Sequence, residues 1–446
     1  MSTPVRTRQT RGPRGGVLPR LLAGLEPAGG EPVGLGEHLA RWGSLDLGRL
    51  RGGLVDELEA GGLVGHGGAW FPVATKWRSV GARRLRRPVV VANGAEGEPA
   101  SMKDALLLAR LPHLVLDGAT SAAVALGATR VVAYVPAGLV PGVQRAVAAR
   151  RHHGLDPVEI EVVDAPDAFL AGQESAVVSA LDGRHDAVPS FVGLQPVRER
   201  GVGGRPTLVQ NVETLAHVAL IARLGAPWFR SLGTDRAPGT MLLTVTGRSE
   251  EPTVVEAPLG APLRDVLGLS SGTASEYRGA LLGGYGGGWV SMSTLLELDL
   301  TETSARHRRS SLGAGVVALL PRSVCPLAEM ARVVRYMEQQ GAGQCGPCVH
   351  GLGALAEAAE ALAFRPRSPG AGVERIRELC ALVEGRGACR HPDGVARFVL
   401  SACSVFGDEV ATHLRHGPCQ MTGARGFLPL PASRSARTRV RELRAW

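Results

Sequence analysis

Two glycine-rich or acidic loops that each end in a lysine could hold a phosphate group. Lys76 closes a loop that begins at Gly65, and Lys103 closes an acidic loop that begins at Asn93. The chain has no other lysine and carries 48 arginines, so we infer that a compact cation on a flexible stem is needed at both places. Exposed backbone N–H groups and one cation form a typical phosphate site. The alternative is chance placement, and the closeness of the two lysines makes it the weaker interpretation.

Two of the seven cysteines form a pair with the spacing of cluster ligands. Cys345 and Cys348 enclose a Gly-Pro pair, and Cys389 follows 41 residues after Cys348. A Cys-x2-Cys pair with a distant third cysteine is typical of iron–sulfur ligation. The alternative for the pair is two buried small hydrophobic residues, but the surrounding glycines and Pro347 favour a loop wrapped around a ligand. The other cysteines are interpreted as structural: Cys325, Cys380, Cys403 and Cys419. An odd number clustered late in the chain argues against a disulfide framework.

Length and charge narrow the classes of function. The 446 residues suffice for two or three domains, and the net charge is +9. Much of this charge lies in arginines near the two ends, which are interpreted as solvated tails. Aromatic residues make up only 4% of the chain, and they are not interspersed with a stretch of basic residues. Nucleic-acid binding is therefore the least favoured function. The sequence has no apolar run of about 18 residues and no signal-peptide pattern, and we expect a cytoplasmic protein.

The order of predicted elements divides the chain into five parts. These are a basic Gly/Pro-rich tail (1–45), an α/β domain (46–235), a small β domain (236–322), a helical domain (323–418) and a basic tail (419–446). In the α/β domain, strands are predicted at 89–91, 131–135 and 158–163, and helices at 115–127, 143–151, 170–181 and 211–224. Strands that alternate with helices predict a layered domain with a largely parallel sheet.

The next two domains have different patterns. A hairpin at 241–247 and 254–257, a short helix from 262 and strands at 281–282 and 316–320 predict a β-grasp-like domain. Apolar residues at helical spacing fill 327–338, 352–363, 373–383 and 394–413. Four helices with short connections predict a bundle, in or beside which all seven cysteines lie.

Four ordered motifs resemble the flavin-bearing, NADH-oxidising subunit of respiratory complex I, a module also found in NAD-linked hydrogenases and formate dehydrogenases. The motifs lie at 65–77, 93–104, 172–177 and 204–215, and the resemblance runs from about residue 50 to 416. It implies a Rossmann-like FMN-binding domain, a small β-grasp (ubiquitin-like, SLBB-type) domain and a C-terminal helical-bundle iron–sulfur domain. It also implies an FMN-dependent NADH dehydrogenase of the diaphorase type. Such a subunit passes electrons from NADH through FMN and a 4Fe-4S cluster to a ferredoxin or a thioredoxin-fold iron–sulfur subunit.

The resemblance also implies roles for individual residues. The cofactor-binding positions that it gives are Gly65, Gly67, Gly68, Phe71, Lys76, Asn93, Glu96, Gly97, Asn211 and Thr214. Glu98 and Glu174 match carboxylates near the nicotinamide pocket and are the expected catalytic pair. Cys345, Cys348 and Cys389 match cluster ligands. The plain alternatives are tight turns for the glycines and solvated surface side chains for the carboxylates.

Several motif positions hold a residue that departs from the family pattern. They are His66, Trp70, Ala95, Gln173, Gln210 and Ala342, and Ser79 stands where an adenine-stacking aromatic is expected. A bulky Trp70 would fill space that the dinucleotide uses. The loss of acidic residues at Ala95 and Gln173 makes the site less negative, so we expect a flavin potential above that of the family.

The departures leave two questions open. With Ala342 in place of a cysteine, the site would bind a three-iron cluster, recruit His350 or Cys380 as the fourth ligand, or have lost the cluster. The departures also allow a second function, in which the chain keeps the fold as a non-catalytic scaffold or an electron relay that does not oxidise NADH. Bleaching of a bound yellow chromophore by NADH distinguishes the two functions.

Overall fold

A computed structural model describes residues 6–9, 20–25, 30–81, 86–184, 188–189, 196–308, 310–368 and 372–431. The first domain is a parallel sheet covered by helices, as the alternating pattern predicted. After an N-terminal strand, β1 (Arg6–Gln9), its elements are α1 (Leu35–Trp42), α2 (Leu47–Gly61), α3 (Val73–Gly81), β2 (Val89–Asn93), α4 (Lys103–Arg110), α5 (Pro112–Leu126), β3 (Arg130–Pro136), α6 (Val140–His152), β4 (Glu159–Ala165), α7 (Glu174–Leu181), β5 (Thr207–Asn211) and α8 (Val212–Arg230).

The strand order of this sheet creates a place for a ligand. The order is β4-β3-β2-β5 and all pairs are parallel, so the chain moves outward from β2 and then returns to its other side. Asn93 and Asn211 are register partners at the carboxyl ends of β2 and β5. In such Rossmann-like sheets, ligands bind outside the carboxyl ends of the strands where the order reverses.

The second domain is built on a six-stranded mixed sheet. Its elements are β6 (Thr240–Thr246), β7 (Thr253–Pro258), α9 (Leu263–Leu267), α10 (Ser271–Ala274), β8 (Tyr277–Leu282), β9 (Gly288–Val290), α11 (Met292–Glu297), α12 (Glu302–His307) and β10 (Val316–Pro321). The strand order is β1-β7-β6-β10-β8-β9, with β10 parallel to β6 and antiparallel to β8. Apolar side chains of this sheet form a core separate from that of the first domain.

The third domain is helical, as predicted, but it has five helices in its described part. They are α13 (Pro326–Gln339), α14 (Leu352–Phe364), α15 (Val373–Val383), α16 (His391–Val405) and α17 (Gly407–His416). The single helix predicted over 394–413 is divided at Phe406, whose φ of −105° and ψ of 34° are not helical. The Phe406 ring packs 5.2 Å from that of Trp289 in the second domain, and Gly407 then starts a new helix.

Parts of the two predicted tails are packed against the domains. The backbone N–H groups of Arg20, Leu21 and Leu22 donate to the buried carboxylate of Glu256 at 2.9–3.0 Å. Further along, α1 belongs to the same predicted tail. At the other end, the N–H groups of Phe427 and Leu428 donate to Glu329. The arginines after residue 431, with Arg11 and Arg14, lie outside the described residues. Among the described helices, none has the length and apolar character to cross a bilayer.

Candidate active site and iron–sulfur site

A large cavity opens at the carboxyl ends of the parallel strands. Its volume is about 1610 Å³, larger than the roughly 300–1,000 Å³ of a typical small-molecule site. All three domains contribute to its wall. Eight residues predicted from the sequence lie on the wall: Gly65, Gly67, Gly68, Phe71, Lys76, Asn93, Glu174 and Asn211. The fold therefore brings together loops that are far apart in the sequence.

The glycine loop before α3 presents bare backbone to this cavity. Gly68 has a φ of +99°, which favours glycine because other residues are strained there. A Cβ added to Gly67 would lie 3.2 Å from the Cβ of Asn211, closer than side chains normally pack. The loop is held against α8 because the N–H of His66 donates to Thr214 Oγ1 at 2.9 Å. Such a cradle fits a ligand that is contacted by backbone N–H groups.

Lys76 is the only lysine on the cavity wall. Its Nζ donates to the carbonyl oxygen of Val209 at 2.7 Å and lies 3.1 Å from Oε1 of Glu174. The Lys76 and Glu174 side chains are 29% and 43% exposed, so this ion pair is open to solvent and to a ligand. The pair joins the first motif to the third at one edge of the cavity.

Two helices begin at the cavity wall. Asn211 caps α8, since its Oδ1 accepts from the N–H groups of Glu213 and Thr214 at 3.0 and 3.3 Å. Gln173 caps α7, since its Oε1 accepts from the N–H of Ala176 at 2.9 Å. The N-terminal ends of both helix dipoles favour an anion on this side of the cavity, while the capped N–H groups are already hydrogen-bonded.

Four predicted site residues lie behind the wall instead of on it: Glu96, Gly97, Glu98 and Thr214. Glu96 accepts from the N–H groups of Asp104 and Ala105 at 3.1 and 2.9 Å, so it caps α4. Burial, followed by the nearby Asp104, raises the pKa of Glu96 to about 7. A Cβ on Gly97 would overlap the carbonyl oxygen of Phe169, so glycine is required there for close backbone packing.

Glu98 connects the first domain to the second. Its Oε2 accepts from the N–H of Tyr285 at 2.7 Å, and its Oε1 accepts from the N–H of Ala100 at 3.2 Å. Gly284 has a φ of +80° and could not carry a side chain without meeting this carboxylate. Burial raises the pKa of Glu98 to about 8. In this structure Glu98 holds the glycine loop between β8 and β9.

Lys103, at the end of the acidic loop, is buried and does not reach the cavity wall. Its Nζ lies 2.7 Å from Asp104 Oδ1 and 2.9 Å from Glu213 Oε2. His66 Nδ1 lies 3.2 Å from the other oxygen of Glu213. Burial and then the Lys103 charge lower the pKa of His66 to about 3, so this imidazole is neutral. Lys103 is therefore not placed to contact a ligand in the cavity, whereas Lys76 lines it.

Trp70 adopts a strained backbone conformation on the cavity wall. Its φ of +55° is the only positive φ of a non-glycine residue among the described residues. Its ring lies 5.6 Å from that of His66, and its buried Nε1 has no hydrogen-bond partner in the described chain. The family pattern has glycine here, and Trp70 lies on the cavity wall. That its indole fills space used by the dinucleotide stays a prediction.

The opposite wall was not predicted from the sequence. The second domain supplies Ser291, Glu302, Arg306 and Arg308, and the third supplies Arg390, Asp393 and Arg397. Arg306 pairs with Glu302 at 2.7 Å, and Arg390 pairs with Asp393 at 3.0 Å. The position of Arg390 directly after Cys389 was the one signal that could have drawn attention to this wall.

The three predicted cluster cysteines are neighbours. Cys348 lies in a π-helical turn, Pro347–Gly351, ahead of α14, and Cys389 lies just before α16. Burial and then the neighbouring Cys345 raise the pKa of Cys348 to about 12, with Cys389 a further contributor. A side chain on Gly341 would meet Cys348 Sγ at 3.5 Å, so small residues leave room beside the sulfur. The donor set fits three positions of an iron–sulfur cluster.

The two candidates for a fourth ligand differ in position. Cys380 is buried with its Sγ 3.9 Å from the carbonyl oxygen of Ala396, and burial raises the pKa of its thiol to about 12. His350 is exposed, two residues after Cys348. Ala342 carries no donor atom, so three thiols make up the cysteine set at this site.

Two sequence families match this chain. The family described as "Nuo51 FMN-binding domain" matches residues 58–220, and "NADH-ubiquinone oxidoreductase-F iron-sulfur binding region" matches residues 328–413. The first match contains the glycine loop and both asparagines. The second contains all three clustered cysteines.

Named relatives match about four fifths of the chain. An NADH-quinone oxidoreductase subunit of Rhizobium meliloti (strain 1021) is 27% identical over 381 residues, covering 82% of this chain and 90% of the relative. An NADH-quinone oxidoreductase subunit of Mycobacterium tuberculosis (strain ATCC 25618 / H37Rv) is 29% identical and covers 82% and 85%. A solved NAD+-reducing [NiFe]-hydrogenase in the H2-reduced state has a TM-score of 0.73 at 28% identity. It covers 81% of this chain, which spans 63% of that hydrogenase chain.

Proposed function

This chain belongs to the family of flavin-bearing, NADH-oxidising subunits of respiratory complex I, and we propose that it is an FMN-dependent NADH dehydrogenase subunit. It takes electrons from NADH and delivers them, through an iron–sulfur cluster, to a partner protein. The observation that carries the proposal is a large cavity, which is walled by the glycine loop on one side and by the domain of the three cysteines on the other.

The wall residues hold the cofactor and the dinucleotide. The backbone N–H groups of Gly67 and Gly68 would contact FMN, and Lys76 would supply the adjacent cation. Gly65 lines the same cavity, but its N–H donates to the carbonyl oxygen of Phe71 at 2.9 Å and so fixes the loop. Asn93 would contact the ring of FMN and Asn211 would lie at its phosphate, because the N-terminus of α8 favours an anion. Bound FMN supplies the conversion of hydride transfer into single-electron steps.

The nicotinamide side of the cavity uses Glu174 and Phe71. Glu174 is the carboxylate of the expected catalytic pair that lines the cavity, and its pairing with Lys76 orients it. Phe71 is 51% exposed on the wall and offers a ring on which the dinucleotide stacks. The four residues behind the wall hold other parts of the site in place. Glu96 and Gly97 shape the acidic loop, and Thr214 holds the glycine loop. Glu98 fixes the loop after β8.

The third domain holds the cluster through Cys345, Cys348 and Cys389. Three thiolates suit a three-iron cluster, or a four-iron cluster completed by a ligand other than a cysteine of this loop. Because Cys380 faces Ala396, the exposed His350 is the better placed of the two candidates.

The second domain is a β-grasp (ubiquitin-like, SLBB-type) domain. Its strand order supports this proposal: without β1, the sheet reads second, first, fifth, third and fourth strand of the domain, with the first and fifth parallel. The short helix α9 follows the β6–β7 hairpin, as a β-grasp requires.

The electron partner is a ferredoxin or a thioredoxin-fold iron–sulfur subunit. The net charge of +9 favours association with an acidic partner. The cytoplasm is the proposed location, because the described residues contain no disulfide and NADH is available there.

The test is NADH-driven reduction of ferricyanide by the purified full chain. We expect Lys76→Met to lower both the flavin content and the rate by at least tenfold. The matched control is Arg78→Met, which removes a cation of the same helix that pairs with Glu59 and Asp56 away from the cavity. Equal loss in both variants, or no NADH-driven reduction by the unaltered protein, would refute the proposal.

A further inference from the structure

Four metal-ligating side chains converge in the third domain, and none of them lines the cavity. They are Cys325, Glu409, His413 and Cys419, and their ligand atoms all lie within 4.8 Å of one another. Cys325 caps the start of α13, Glu409 and His413 lie one turn apart on α17, and Cys419 follows α17. Two of the cysteines that the sequence left as structural therefore meet a histidine and a carboxylate.

We propose that Cys325, Glu409, His413 and Cys419 form a structural Zn²⁺ site. Two sulfurs, one imidazole nitrogen and one carboxylate oxygen make a four-coordinate set that zinc prefers. All four positions are protein ligands, which is the arrangement of a closed structural site and leaves no position for a substrate.

Two distances between ligand atoms match the edges of a zinc tetrahedron. Zinc bonds of about 2.0–2.3 Å put neighbouring ligand atoms about 3.3–3.8 Å apart in a tetrahedron. His413 Nε2 lies 3.7 Å from Cys325 Sγ and 3.7 Å from Glu409 Oε1. A hydrogen bond between nitrogen and oxygen would be about 2.7–3.2 Å long, so the His413–Glu409 contact is too long to be one.

Burial makes this cluster costly without an ion. His413 is 0% exposed, and its Nδ1 has no hydrogen-bond partner among the described residues. Its Nε2 accepts one bond, from the N–H of Cys419 at 3.2 Å, and zinc would replace this N–H at the single lone pair of Nε2. Cys325 is also buried. A buried imidazole and a buried thiol that share one small space are stabilised by a common cation.

Neighbouring residues orient the proposed ligands. Arg278 Nη1 lies 3.1 Å from Glu409 Oε2, so the carboxylate keeps its other oxygen for the metal. Thr422 Oγ1 lies 3.7 Å from Cys325 Sγ and 3.4 Å from Cys419 Sγ. Partners of this kind fix ligand orientation in zinc sites.

Charge and protons balance in the binding step. Zn²⁺ replaces the protons of two thiols, which pass to solvent, and binds the neutral imidazole and the carboxylate. The resulting site carries one net negative charge, which the guanidinium of Arg278 offsets. The metal joins α17 and the segment after it to the start of α13, whose other end leads into the loop of Cys345.

Metal analysis of the full chain tests the site, with zinc and iron measured separately. We expect one zinc per chain, which Cys325→Ser combined with Cys419→Ser reduces at least tenfold while iron and flavin stay unchanged. Cys403→Ser is the matched control, since this cysteine is also buried but lies outside both cysteine clusters.

A second variant distinguishes loss of the zinc site from misfolding of the protein. Glu409→Gln keeps both thiols, and we expect it to release zinc to a chelator at a concentration at least tenfold lower than the unaltered protein does. Absence of zinc from protein grown with zinc, zinc retained in the double variant, or a Cys325–Cys419 disulfide would each overturn the proposal. Because the readout is metal content, failure here is distinct from failure of NADH oxidation.

Discussion

The Nζ of Lys103 lies 2.9 Å from Oε2 of Glu213, and the two side chains are 2% and 0% exposed. The other oxygen of Glu213 accepts from the N–H of Leu242, so the ion pair also ties α8 to β6. This pair lies behind the glycine loop. The pair therefore supports this part of the cavity wall from behind.

Lys103→Met will strongly destabilise the protein. Removing one partner of a buried ion pair leaves an uncompensated charge, here on Glu213 and Asp104, at a cost of about 3–5 kcal/mol. Urea unfolding followed by circular dichroism measures the loss. The control is Arg130→Met, which breaks the exposed pair with Glu161 and should cost less than about 1 kcal/mol. Equal costs in the two variants would contradict this account.

Glu98 makes stability depend on pH. Because burial raises its pKa from 4.5 to about 8 in the folded protein, its contribution is fully present below pH 4.5 and is lost as pH rises to about 8. Glu98→Gln removes this titration. Between pH 4.5 and 8 the free energy of unfolding should therefore decrease in both proteins, but the decrease in the Glu98→Gln variant should be smaller by roughly 2–4 kcal/mol. Urea unfolding across this range measures the difference. Glu159→Gln, at an exposed position of β4, should leave the slope unchanged.

The sequence predicted the parts of the site that depend on local pattern. Asn93 and Asn211 were predicted to contact the same ligand. They lie side by side because the carboxyl ends of parallel strands lie at one edge of the sheet. Contacts between domains have no such local signal. The hydrogen bond from Tyr285 to Glu98, and the break of a predicted helix at Phe406 beside Trp289, depend on residues more than 100 positions apart. The same reason explains why the Arg390 side of the cavity was missed.

Trp70→Gly will relieve backbone strain and widen the cavity. A non-glycine residue at a φ of +55° is strained by about 1–2 kcal/mol, which offsets part of the packing lost with the indole. We expect NAD+ to bind roughly tenfold more tightly, or about 1.4 kcal/mol, as measured by calorimetry. Trp70→Phe keeps an aromatic ring and the strained backbone, and this variant should bind NAD+ as the unaltered protein does. If the glycine variant binds NAD+ more weakly, the indole is part of the binding site.

Gln173→Glu will lower the flavin potential. The new carboxylate keeps the cap on α7, where a negative charge is favoured at the helix N-terminus. Its charge on the cavity wall opposes the uptake of electrons, and we expect a shift of a few tens of millivolts downward. An anaerobic redox titration measures it, with Ser179→Glu on the same helix but away from the wall as the control. An upward shift would show that the missing charge does not raise the potential.

The most direct test of the account is the visible spectrum of the anaerobically purified full chain before and after addition of NADH. We predict a flavin band with broad iron–sulfur absorbance, and NADH will bleach both. A flavin band that NADH leaves intact but dithionite bleaches would contradict NADH oxidation and indicate a relay that receives its electrons elsewhere. A colourless protein would contradict cofactor binding itself.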